Sequence, residues 1–150
     1  PYFNILKNKF IHPPFLLHDD CWLEINIPVN KDIVNKRMET KYKQYLSSIA
    51  TFKFSIKRYE YLEMTIDYLK KHGKVYLVRL PIHPRMQEIE NKVMSDFNEK
   101  MEILSKETNI PYLNLMTNID NYTYVDGSHL YKTSAAVVSA EVANWILKVK

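Results

Sequence analysis

Residues 74–80, Lys-Val-Tyr-Leu-Val-Arg-Leu, form a nearly unbroken apolar, β-rich run between Gly73 and Pro81. A run of this length and type predicts a parallel strand buried on both of its faces. Pro81 and Pro84 end it. Downstream, Met86, Ile89, Val93, Phe97, Met101 and Leu104 recur at helical spacing and predict one helix over Met86–Glu107. Pro111–Met116 (PYLNLM) is the next short apolar run and a second strand candidate. A polar loop then leads to Asp126-Gly127-Ser128-His129-Leu130, and Thr133–Val149 closes as a helix. In that helix Ala136, Ala140, Ala143 and Leu147 mark a close-packing stripe. Strand, helix, strand, loop and helix in this order imply a parallel sheet with crossover connections. Ligands of such sheets bind beyond the carboxyl ends of the strands. The His83 loop and the Asp126–His129 loop therefore belong on one rim.

Upstream of residue 73 the chain reads as helical. Asp32–Ala50 is a polar helix. Ser55–His72 is a second, with Tyr59, Leu62, Ile66 and Leu69 on one face and Gly73 placed as a left-handed cap. The first thirty residues carry Pro13, Pro14 and Pro28 around two apolar runs, Phe15–Leu17 and Cys21–Ile27, the second a strand candidate. The organisation expected is one domain over 1–150: an irregular or strand segment (1–30), a helical segment (31–72) and a βαβ-loop-α unit (73–150).

Composition removes several function classes. The chain of 150 residues is 46% hydrophobic and 25% charged, enough to build a core. No apolar run is long enough to span a bilayer. Glycine occurs only at positions 73 and 127, so a Walker loop or a dinucleotide fingerprint has no material to form from. The net charge of +4 comes from dispersed lysines, as on solvated helix faces, not from the dense basic patch that nucleic acid requires. The single cysteine, Cys21, rules out an internal disulfide framework. His18-Asp19-Asp20 with His12 nearby lacks a recognisable second ligand pair, so no metal site is expected. Arg79 inside an apolar strand calls for a carboxylate partner or a place at a sheet edge.

Asp126-x-x-His129 is the pair able to carry chemistry. An imidazole accepts a hydroxyl proton through one nitrogen while a carboxylate at the other nitrogen fixes its tautomer. Three-residue spacing in a turn lets Asp126 reach back to His129, and Gly127 relieves the backbone. On residue types alone, Asp-Gly is equally an ordinary turn pair.

The string Tyr124-Val125-Asp126-Gly127-Ser128-His129-Leu130, followed by a helix rich in small residues, resembles the last conserved block of the SGNH (GDSL-like) hydrolase superfamily. Residues 75–84 (VYLVRLPIHP) resemble that family's penultimate strand, and Asn109–Leu115 its last short strand. The resemblance covers about Val75 to Ile146. It implies a three-layer α/β/α fold with a parallel sheet, flavodoxin-like, here incomplete at the N-terminal side. It further implies a cofactor-free serine esterase, with His129 as general base and Asp126 as its orienting carboxylate. The substrate would be a small-molecule or carbohydrate O-acyl ester, and His83 and Tyr131 are candidates to line its cleft.

Three features depart from the pattern. Ser134 replaces a helix-opening glycine. The Gly-x-Asn-Asp block is absent, so no oxyanion asparagine carries over. No serine follows a Gly-Asp pair, and Ser128, Ser47, Ser48 and Ser55 lack the strand-to-helix elbow of such a nucleophile. The expectation is therefore that the nucleophile lies upstream of Pro1 or on a partner chain. The alternative is a glycan- or protein-binding module on a degenerate scaffold.

Overall fold

The computed structural model describes residues 15–19, 21, 23–25 and 27–149. Expectations that rest on His12, Asp20 and Trp22 lie outside them. Strands β1 (Phe15–Leu17) and β2 (Leu23–Ile25) pair antiparallel, Leu16 opposite Glu24. Helix α1 (Lys31–Ser48) starts where the Asn30 side chain accepts the amides of Asp32, at 2.9 Å, and Ile33. Helix α2 (Ile56–Lys70) is capped the same way by Ser55. Strand β3 (Leu77–Arg79) crosses through α3 (Pro84–Val93) and α4 (Phe97–Thr108) to β4 (Tyr112–Asn114), which lies parallel to it. A 3-10 turn (Ile119–Asn121) and the Asp126 loop lead into α5 (Lys132–Lys148). The chain is thus mixed α/β and mostly helical. No described helix is long and apolar enough to cross a membrane.

Ile66 of α2 meets Met101 and Leu104 of α4 and Ile110, with Tyr59, Leu62, Val75, Leu77, Phe97 and Tyr112 packed around them. This ties both helices to one face of the β3–β4 pair. Burial of each such aliphatic side chain stabilises by about 1.5–3 kcal/mol. By contrast, α1 has no buried residue.

Four expectations are corrected. The helix expected over Met86–Glu107 is two helices broken at Met94–Asp96, where Met94 turns extended (φ −152°, ψ 78°). Ser95 and Asp96 favour helix ends because their side chains compete for backbone hydrogen bonds. Gly73 is not the left-handed cap. Helix α2 tightens into short-range bonds, Lys71 N–H to Tyr68 and His72 N–H to Leu69, while the left-handed cap falls at Asn109 after α4 (φ 53°). The alanine stripe of α5 faces outward: Ala136, Ala140 and Ala143 are exposed, and Ser134 and Val138 are the residues it buries.

The fourth correction concerns β3. Its residues are only half-buried, and Leu80 just beyond is 59% exposed. Among the described residues β3 pairs with β4 alone. Alternation aims the N–H and C=O of Leu77 and Arg79 at β4 and those of Val78 at the open edge. Arg79 meets the sequence expectation. Its guanidinium bonds Glu90 (3.0 Å) and Asn98 (2.6 Å) and stacks over Phe97 at 4.6 Å.

Candidate active site

The Asp126 loop is a pinned turn. Tyr124 and Leu130 form an isolated antiparallel bridge, the Val125 N–H donates to the His129 carbonyl (2.9 Å), and the Tyr131 N–H donates to Thr123 (2.8 Å). Ser134, in the first turn of α5, accepts the Thr123 amide at 2.8 Å and so fastens the turn to the helix. Tyr124 is buried, and its hydroxyl donates to the Ile119 carbonyl; burial pushes its pKa up to about 12. Gly127 is buried at φ 93°, where a Cβ would stand 2.8 Å from Met86 Cε and 3.4 Å from Met38 Cγ. Only glycine combines that φ with that approach.

Within this turn Asp126 is engaged on both oxygens. Oδ1 accepts the amides of Ser128 and His129, each at 3.0 Å, and the Ser128 hydroxyl at 3.3 Å. The His129 ring approaches with Nδ1 at 3.0 Å from Oδ1 and 2.9 Å from Oδ2. Burial alone would raise the Asp126 pKa. The hydrogen bonds from the His129 ring and from the Ser128 and His129 amides, with the charge that the ring carries when protonated, outweigh it and hold the carboxyl at about 2. An ionised carboxylate only accepts hydrogen bonds, so Nδ1 carries the proton and Nε2 of the neutral ring is the basic nitrogen. The His129 side chain is 68% exposed, on the outer side of the turn. Ser128 Oγ lies 3.3 Å from Nδ1, on the carboxylate side of the ring and not at Nε2.

The sequence brought Asp126 and His129 together, and the structure does too. His83 joins them through its backbone: its N–H donates to the Gly127 carbonyl at 2.9 Å. The loops after β3 and β4 are thereby held side by side. The His83 ring has a second task. Nδ1 accepts the Arg85 amide (3.2 Å) to cap α3, and the ring meets Tyr124 edge-on with centroids 5.6 Å apart. Burial, then the Arg85 charge, lowers its pKa. Tyr131 sits at the N-cap position of α5, partly buried, without a side-chain cap bond. No trio of His, Cys, Asp or Glu able to hold a metal occurs among the described residues.

The residue that sequence reading missed is Lys41. From α1 its ammonium donates to Asp126 Oδ2 at 3.3 Å. It lies 85 positions away, in a helix whose lysines read as solvated, and no local pattern marks it. Arg85 pairs with Glu39 and stacks over Tyr42, so α1 is fastened at two further points on the same side. No protein-family model, curated protein or solved structure matches this chain.

Proposed function

We propose that this chain supplies the acid–base half of an SGNH-type ester hydrolase. His129 takes a hydroxyl proton through Nε2 and later returns it to the leaving alcohol, while Asp126 holds the ring and balances the imidazolium. The nucleophilic serine and the oxyanion donors come from outside residues 1–150, on further strands that complete a three-layer flavodoxin-like sheet. The substrate is a carbohydrate O-acyl ester, with His83 and Tyr131 beside it. The observation that carries this reading is the paired approach of both Asp126 oxygens to Nδ1, which leaves Nε2 on the exposed side. The half-buried apolar strand β3 with its open edge supports the completed sheet.

The intact protein should hydrolyse an activated acetyl ester, and His129→Ala should lower kcat by about 10⁴-fold or more. Unchanged turnover in that variant would end the proposal. A second reading, a non-catalytic glycan- or protein-binding module, is favoured by Ser128, the nearby serine, standing at Nδ1. It predicts glycan or protein binding with no turnover in the intact protein.

A further inference from the structure

Helix α1 turns one face toward Asp126. Ile33, Lys36, Arg37, Thr40, Lys41 and Gln44 follow helical spacing, and with Asp126 they enclose a cleft of about 520 Å³. Three cations line it against one carboxylate, and that carboxylate is already engaged by the His129 ring, Lys41 and the loop amides. The Arg37 guanidinium spends Nη1 on the Pro28 carbonyl (2.9 Å), which fixes the group and leaves its other N–H donors. Thr40 donates its hydroxyl hydrogen to the Lys36 carbonyl, so its oxygen is left to accept. One oxygen, Asp126 Oδ2, separates the Lys41 ammonium from the His129 ring.

We propose that the ester handled at His129 carries an anionic substituent, a carboxylate or a phosphate, seated in this cleft on Lys36 and Arg37. This rests on the reading of Asp126 and His129 as the acid–base pair. The surplus of positive charge around a concave surface attracts anions, and a guanidinium fork suits the paired oxygens of either group. Thr40 and Gln44 provide neutral hydrogen-bonding groups for sugar hydroxyls. Lys41 contributes charge, but its contact with Asp126 makes it part of the catalytic corner.

The test is NMR titration of the protein with three probes: mono-O-acetyl glucuronate, mono-O-acetyl glucose 6-phosphate and mono-O-acetyl glucose. At least one anionic ester should bind tenfold or more tightly than the neutral one and shift the His129 ring resonances. The preference should shrink in 0.5 M salt. It should fall in Lys36→Met, at an exposed position, and vanish in Lys36→Met/Arg37→Met, with binding of the neutral ester unchanged. Whichever anionic probe wins identifies the substituent. Equal binding of all three, each shifting His129, overturns the charge preference and leaves the acid–base pair standing. Tight anion binding that leaves the His129 ring unmoved separates the cleft from the imidazole and overturns the proposal.

Discussion

The Asp126 turn and the loop that follows strand β3 are bonded side by side, yet the turn and the strand are finished to different degrees. At the turn the groups that shape the loop are paired: both carboxylate oxygens, the Ser128 and His129 amides, and the Gly127 carbonyl. Beneath it Met86, Tyr124 and Val125 are buried. Along β3 the backbone is paired on one side only, among the described residues. An apolar groove of about 720 Å³, lined by Leu77, Val78, Leu80, Ile82, Val93 and Phe97 among others, runs beside a strand with one open edge. The geometry of the Asp126–His129 pair is built from a local turn and its immediate support.

Substitution should cost most at Met86, which is fully buried and touches Gly127. Met86→Ala should destabilise by about 2–5 kcal/mol in chemical denaturation. A cost below 1 kcal/mol would mean the turn is not supported from beneath. Gly127→Ala comes next: the left-handed φ and the approach of Met86 should cost about 1–3 kcal/mol and disturb the His129 ring signals.

Acid should act on the turn too. The folded pKa of Asp126 lies at about 2, below its ordinary value. Its contribution is therefore complete above about pH 4 and is lost as pH falls through 2. With solvent screening of a partly exposed group it amounts to ~1 kcal/mol. Asp126→Asn should lower stability at neutral pH and flatten the acid limb of the profile, an effect that equal slopes would refute. The smallest effect belongs to the other region. Leu80→Ser, at an exposed position on the open strand, should change stability by no more than about 0.5 kcal/mol. A cost of several kcal/mol there would mean that the groove is filled.

What the sequence disclosed follows the same division. Asp126-x-x-His129 was readable because its hydrogen bonds close within three residues, and KVYLVRL with PYLNLM because apolar runs announce paired strands. The break at Met94–Asp96 was hidden because Val93 and Phe97 keep helical phase across it. The exposed alanines of α5 misled because small size permits close packing without requiring it; the body instead takes up Ser134 and Val138. Lys41 was invisible because nothing near it in sequence signals a carboxylate 85 residues on. Likewise the partial exposure of β3 depends on which strands flank it, and that is not written in the strand itself.

We propose that residues 1–150 carry the base and its carboxylate but not the nucleophile. Serine-directed fluorophosphonate labelling of the intact protein, mapped by mass spectrometry, tests it most directly. One labelled serine is expected outside residues 1–150, with labelling strongly reduced in His129→Ala. Stoichiometric label on Ser47, Ser48, Ser55, Ser128 or any other serine of this chain, abolished by the same substitution, would contradict it.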